Sequence, residues 1–320
     1  MTTITPRPPR VSEVTLSAAA QAASRYEKLK AEPMEVAGQP TGAFTGFFGT
    51  IRDVIAHGRL LDLLIRRDLK SRYKDSALGF LWTLIRPITQ LAIYYVILGN
   101  ILGAARGIDN FAVYVFCGLT VYNLFSDIVA GSTGSIVANA GLIKKVYVPR
   151  EIYPLASVGS ALFNFGIQLV VLLIATVVFG EFPAHLDLLY FFPSALLILI
   201  YGLALGLLLS AANVFLRDMG YLVEIVLMLL MWASPIVYAW STVATRLTGS
   251  REWLLHIYTD NPITLAVLGF HRAFWLGGAE NDYPADMLLK MGVAGVIGLV
   301  LVYVFHRVFS RLQGNFAQEL

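Results

Sequence analysis

The amino-acid sequence predicts an all-α integral membrane protein with six transmembrane helices per chain, an N-terminal amphipathic interface helix and two short re-entrant helices between spans five and six. Three observations predict it: an excess of apolar residues, their grouping into bilayer-length runs, and a one-sided distribution of lysine and arginine. Of 320 residues, 57% are hydrophobic and 14% charged, whereas a soluble globular chain carries about 45–50% apolar and about 25% charged residues. So few charges cannot cover a water-soluble chain of this size. That excludes a disordered or nucleic-acid-binding chain and argues against an ordinary cytosolic enzyme. The single cysteine, Cys117, excludes a disulfide framework and a cysteine-cluster metal site.

The first 50 residues differ from the rest. They hold Pro6, Pro8, Pro9, Pro33 and Pro40 with scattered charges, and lack the apolar run of roughly 7–15 residues that a signal peptide needs. They read as a flexible cytoplasmic tail. Residues 51–83 follow as the interface helix and gate loop. In 60–74 (LLDLLIRRDLKSRYK), Arg66, Arg67, Lys70 and Lys74 share an arc of about 100° on a helical wheel, while Leu60, Leu61, Leu64, Ile65 and Leu69 take the opposite half. A basic amphipathic helix of this kind lies in the cytoplasmic interface with its apolar face in the acyl boundary. Its charges also satisfy the positive-inside rule, so the pattern alone leaves a partner-binding role open. Ser76-Ala77-Leu78-Gly79 makes a tight break, Trp82 anchors at the interface, and Arg86-Pro87 enters the first span.

A bilayer core of about 30 Å needs about 20 mostly apolar residues per helix. Residues 84–103, 111–132, 155–179, 188–209, 221–238 and 287–308 meet that demand. Residues 253–275 are apolar but interrupted by Asp260, Pro262, His271 and Arg272, and a pair of short helices dipping into the outer leaflet fits them better than a span. Nineteen of the 24 basic residues fall on one side of this arrangement, thirteen of them by Arg86, and five on the other. That bias puts both termini in the cytoplasm.

RDLKSRYKDSALGFLWTLIRP at 67–87 resembles the signature of ABC-2-type permeases that export lipid-linked polysaccharides such as O-antigen, capsule and teichoic acid. Three further segments resemble the same family in the same order. They are KKVYVPREIYPLASV (144–158), FLRDMGYLVEIVLMLLMWASPIVY (215–238) and NPITLAVLGFHRAFW (261–275). The likeness runs from about residue 60 to the end, so that 84–320 form the ABC-2-type transmembrane domain. The N-terminal tail is longer than the family pattern. The resemblance implies a homodimer in the cell inner membrane, crossed many times, with two copies of a separate ABC ATPase subunit that uses ATP and Mg. None of the seven lysines follows a glycine, so the chain has no G-x-x-x-x-G-K-[ST] phosphate loop and an engine would have to be supplied in trans.

The same resemblance implies roles for particular residues. Arg66, Arg67, Asp68, Lys70 and Tyr73, the loop residues Lys144, Lys145, Arg150 and Glu151, and the pair Arg217-Asp218 would meet the ATPase. Pro149 and Pro154 would stiffen that loop, although prolines also suit an ordinary helix start. Arg72, Lys74 and Arg86, flanking the break from Ser76 to Gly79, would draw the phosphate head of a polyprenyl-linked or lipid-linked glycan. The pathway would be aromatic, because sugar faces stack on rings. Phe111, Tyr114, Tyr122 and Phe125 fall within about 80° on span two, bordered by Asn123 and Ser126, and Trp232 lies mid-span. Lipid-facing or core rings would give the same pattern. Asp127 lies roughly opposite those rings, which favours a contact with another helix, and Glu224 lies shallow.

Other functions fit less well. An ABC-2 exporter of drugs or small lipids is the nearest alternative. A membrane glycosyltransferase would use external acids, and Asp109, Glu280, Asp282 and Asp286 form no recognised catalytic motif. The five histidines are far apart with no H-E-x-x-H, and no internal repeat points to a secondary transporter. No catalytic residue, cofactor or metal site is expected on the chain itself, and no nucleic-acid partner.

Overall fold

The computed structural model describes residues 43–73, 81–101, 103, 108–145, 148–180 and 182–320, together with Ala23 and Tyr26. From Phe47 onward they form one compact unit, and among the described residues the regular structure is helical, without a strand. Helix α1 spans Ala43–Ala56 and α2 Gly58–Tyr73. The first long apolar helix, α3 (Leu81–Ile93), contains Pro87 and continues as a π-helix over Tyr94–Ile101. Proline lacks the N–H that would close the preceding turn.

Helix α4 (Phe111–Ala138) starts after Asn110, which takes the left-handed conformation (φ 46°). Most of its residues are buried all round, which makes it the central post of the bundle. It packs on α5 (Ile152–Val178) and α6 (Phe191–Phe215). Gly202 and Gly206, four apart on α6, let the backbones of α4 and α6 approach. A Cβ at Gly202 would come within 2.9 Å of Ile128, and one at Gly206 within 2.8 Å of Ser132. Small residues at this spacing are how membrane helices gain close packing when lipid and side chain are equally apolar.

Helix α7 spans only Met219–Trp232, 14 residues. The sequence places a span over 221–238; the structure ends the helix at Ala233, and Ser234-Pro235 continues as irregular chain. At 1.5 Å per residue the helix alone covers about 21 Å, short of the bilayer core. Five helical stretches among the described residues are long and apolar enough to cross: Leu81–Ile101, Phe111–Ala138, Ile152–Val178, Leu186–Phe215 and Met287–Asn315.

After α7 come α8 (Trp240–Arg246), α9 (Glu252–Thr259) and α10 (Pro262–Phe274). The paired short helices expected over 253–275 correspond to α9 and α10. Asn261 accepts a hydrogen bond from the Ile263 amide with Pro262 in the first turn, a strong helix start. α10 is buried from Ile263 to His271 and wedged between α4 and α6. Helix α11 (Met287–Leu312) returns along α6, and α12 (Phe316–Glu319) closes the chain. Two cores result. The larger joins α4, α6 and α10; the smaller gathers Leu64, Ile136, Ile152, Tyr153, Val214, Phe309 and Phe316 at the end where α2 lies.

Candidate functional site

The α2 end of the bundle carries a cluster of exposed basic residues. Leu60, Leu61, Leu64 and Ile65 of α2 turn toward α5 and join the smaller core, with Leu64 buried and Leu63 left exposed. The apolar face expected in the acyl boundary therefore packs largely on protein. On the other side, Arg66 pairs with Asp62 at 2.8 Å, both exposed. Arg67 bonds Asp68 and also donates to Asn139 Oδ1 at 2.8 Å. Asn139 in turn donates to the Ser135 carbonyl, so Arg67 ties α2 to the turn that follows α4. Lys70, Lys144, Lys145, Arg217 and Asp218 are exposed at this end.

Two of the loop residues sit deeper than the sequence suggests. The Arg150 guanidinium lies over the Phe316 ring, 5.7 Å from its centroid. Glu151, expected on a partner-facing surface, is 2% exposed and lies 3.6 Å from His306 Nε2 of α11. The helix start at Ile152 turns its side chain inward, making it a tie between α5 and α11. Phe47 stacks edge-on against the same histidine at 5.1 Å. Lys74, Ser76 and Gly79 lie outside the described residues, and so do the side chains of Arg72, Tyr73 and Arg86.

The rings expected on a lumen pack inside the chain. Phe111, Tyr114, Tyr122 and Phe125 are each at most 4% exposed. The Tyr114 hydroxyl donates to the carbonyls of Pro235 and Tyr238, at 3.1 and 2.9 Å, and that of Tyr122 donates to Leu227. These bonds hold α7 and its irregular end against α4. The periodicity that groups the four rings is real, but the face they define is the packing face. Trp232, at the end of α7, is half exposed.

The opposite edge of α4 opens into a cleft of about 680 Å³ between α3, α4 and α5. From the first span Trp82, Ile85, Pro87, Ile93 and Tyr94 line it together with Thr83, Thr89 and Gln90; Asn123, Ser126 and Asp127 line it from α4, and Asn164 and Gln168 from α5. Asn123 donates to Gln168 Oε1 at 2.9 Å and Asn164 to Asp127 Oδ2 at 3.2 Å. Asp127 thus makes the interhelix contact that its place on the wheel predicts. Asn164 and Gln168 escaped sequence reading. Their signal is the four-residue spacing that matches Asn123 and Asp127, inside a run otherwise apolar.

At the far end, His271 of α10 stacks on Tyr114 with ring centroids 3.8 Å apart, and its Nε2 donates to the Tyr114 carbonyl at 2.9 Å. Complete burial pushes its pKa down to about 3. Trp275 donates to the Asp109 carbonyl at 2.6 Å, and Arg272 lies over the Tyr190 ring and 3.4 Å from Asp187.

Long apolar helices packed into one bundle, with a basic helix docked at one end, define a multi-pass membrane protein. The chain belongs to the ABC-2 type transporter family, whose pattern matches residues 59–275. It is 30% identical over 273 residues to the O-antigen export system permease protein RfbA of Myxococcus xanthus, covering 84% of this chain and 98% of the relative. It is 29% identical to RfbA of Klebsiella pneumoniae over 82% of this chain and 96% of the relative. The polysialic acid transport protein KpsM of Escherichia coli is 33% identical over a shorter stretch, 26% of this chain and 32% of the relative.

Proposed function

We propose that the chain is the transmembrane subunit of an ATP-driven exporter that moves a lipid-linked polysaccharide out of the cytoplasm across the inner membrane. Two copies pair around the pathway, and separate ATPase subunits bind the α2 end. The observation that carries this reading is α2 itself. Its basic residues sit on a helix that is fastened to the bundle by Leu64 and by the Arg67–Asn139 bond, beside the exposed Lys144 and Lys145. A partner pushing there would move α4 and α5 directly. Similarity to O-antigen export permeases over nearly their whole length supports the polysaccharide as cargo.

Six crossings with both termini on the ATPase side are supported by the path of 219–238. It leaves the end where α6 finishes, and the carbonyls of Pro235 and Tyr238 reach Tyr114 near the start of α4, at the other end. Arg72, Lys74 and Arg86 around the 74–80 stretch are proposed to receive the phosphate head of the lipid carrier, since membrane-proximal basic residues attract anionic heads by about 1 kcal/mol each. The test is purification of the chain with its candidate ATPase in nanodiscs, followed by ATPase assays with defined polyprenyl-linked glycans. Stimulation by these substrates, and loss of ATPase association in a Lys144→Glu/Lys145→Glu variant, are expected. Isolation of a monomer that binds no ATPase would overturn the proposal, and stimulation by small lipids or drugs alone would reassign the cargo.

A further inference from the structure

We infer that the pocket at the end of the bundle opposite α2 is a headgroup site for a zwitterionic phospholipid with a primary amine, of the phosphatidylethanolamine class. The inference is independent of the exported cargo. The pocket measures about 720 Å³ and is lined by Tyr190, Trp240, Arg272, Glu280 and the continuous stretch 283–289. That volume falls within the roughly 300–1,000 Å³ of ligand sites. Its level in the bilayer follows from helix length. The stretches Leu186–Phe215 and Met287–Asn315 rise about 45 and about 44 Å at 1.5 Å per residue, close to the ~40–45 Å of a bilayer with its headgroup regions. Tyr190 and residues 287–289 stand near the starts of those stretches, so the pocket lies among headgroups. Leu186, Leu189, Leu288 and Leu289 are exposed there, and exposed apolar residues continue down α11 at Val293, Ile297, Val300 and Val304. Acyl chains have a surface to lie on directly beneath the polar lining.

Charge selects the occupant. The Arg272 guanidinium lies over two rings, 4.7 Å from the Tyr190 centroid and 5.6 Å from that of Tyr283, which fixes its plane. Its ion pair with Asp187, at 3.4 Å, uses Nε, and among the described residues the Nη donors make no hydrogen bond. A guanidinium with that edge open forks onto a phosphate. Glu280 and Asp286 are exposed carboxylates of the same lining and form no ion pair among the described residues. The neighbouring Lys290 is spent on Asp260 at 2.6 Å, and the Asp286 side chain does not cap α11. Two lining carboxylates, with Asp187 beside Arg272, repel a bare anion. A neutral sugar leaves both signs unanswered. A phosphate joined by a short linker to an ammonium answers both: the phosphate takes Arg272, and the N–H bonds of the ammonium reach the carboxylates. A trimethylammonium head has no N–H to give them.

The test uses the full chain with its ATPase in nanodiscs and a reporter thiol at Ala285→Cys, an exposed position of the lining. The native Cys117 is fully buried and is checked first for silence. Labelling by a water-soluble maleimide is compared in pure phosphatidylcholine and in equal mixtures of it with phosphatidylethanolamine or phosphatidylglycerol. Labelling severalfold slower with phosphatidylethanolamine than in the other two is expected. Arg272→Gln should remove the difference. So should Glu280→Gln/Asp286→Asn, which changes only exposed side chains and keeps at 286 a residue that tolerates its left-handed backbone (φ 54°). Labelling that phosphatidylethanolamine does not slow would overturn the inference, and equal slowing by phosphatidylglycerol would overturn it in favour of a plain anion site. Equal slowing at Glu252→Cys, exposed on α9 outside the lining, would trace the effect to the bilayer and overturn it too. Two soluble probes in pure phosphatidylcholine complete the test. Glycerophosphoethanolamine, which has no acyl chains, should protect far less than the lipid; equal protection would assign the pocket to a free amino-phosphate instead. Protection by short neutral oligosaccharides would reassign it to a glycan.

Discussion

His271 shows how burial and one hydrogen bond set a protonation state. Its Nε2 donates to the Tyr114 carbonyl, so Nδ1 is the bare nitrogen, and it is buried without a hydrogen-bond partner. Protonation there would place a charge where nothing solvates it, which is why the pKa falls to about 3. The unfolded chain binds that proton near pH 6.5. Stability from this site is therefore complete above pH 6.5 and declines as pH falls toward 3, with about 2 kcal/mol lost by pH 5. Thermal unfolding in detergent between pH 7.5 and 5 is expected to show this slope, and His271→Gln, which keeps a donor for Tyr114, should flatten it. An unchanged slope would assign the acid sensitivity elsewhere. The sequence exposes His271 as an interruption in an apolar run, but its stacking on Tyr114 joins residues 157 apart, a pairing no local pattern encodes. Asp127 was more legible, because its angle on the wheel separates it from the rings. For Glu151 the sequence misleads: a charged residue in a proline-framed loop reads as surface, and only the position of His306 reveals that it points inward.

Among the elements, α4 and α6 meet through small residues whose tolerance can be measured. A Cβ on Gly206 would collide with Ser132, so Gly206→Ala should cost about 1–3 kcal/mol through overpacking. Ser132→Gly should restore much of that loss in the double variant, a coupling readable as a shift in Tm; additive losses would place the clash elsewhere. Helix α2 offers a contrast between two arginines one residue apart. Arg66 makes an exposed pair with Asp62, and Arg66→Ala should change stability by less than about 1 kcal/mol. Arg67→Ala breaks the link to Asn139 and is expected to reduce glycan-stimulated ATPase activity severalfold while the ATPase still binds. Equal effects of the two substitutions would show that α2 acts by charge alone. Periodicity reveals α2, α4, α5, α6 and α11 because each keeps one character along its length. The early end of α7 is hidden for the opposite reason. Residues 233–238 carry no charge and still fit an apolar run, and Pro235, without an amide proton, ends helical bonding inside it.

At the scale of the molecule, charge and packing give two independent routes to topology. The positive-inside rule assigns the α2 end to the cytoplasm from composition alone. Packing says which segments share an end. Trp275 bonds the carbonyl of Asp109 just before α4, His271 stacks on Tyr114, and α11 then returns along α6 to bring Phe309 and Phe316 into the core that holds Leu64 of α2. If the stretch 219–238 crosses despite the short helix, the α8–α10 segment faces outside and the C-terminus is cytoplasmic. If it does not, α8–α10 remain inside and the C-terminus is external. Hydropathy could not decide between these, since α7 alone spans about 21 Å, whereas the hydrogen bonds from Tyr114 to Pro235 and Tyr238 favour the first. Cysteines introduced at Lys145 and Asp282, with a reporter after Leu320, separate the two arrangements in intact cells. A membrane-impermeant maleimide should label Asp282→Cys and spare Lys145→Cys, and a C-terminal fluorescent protein that matures only in the cytoplasm should glow. Labelling of Lys145→Cys would invert the whole chain. A dark C-terminal reporter with Lys145→Cys still protected would leave α7 as a helix that enters the membrane without crossing it, and the count would stand at five.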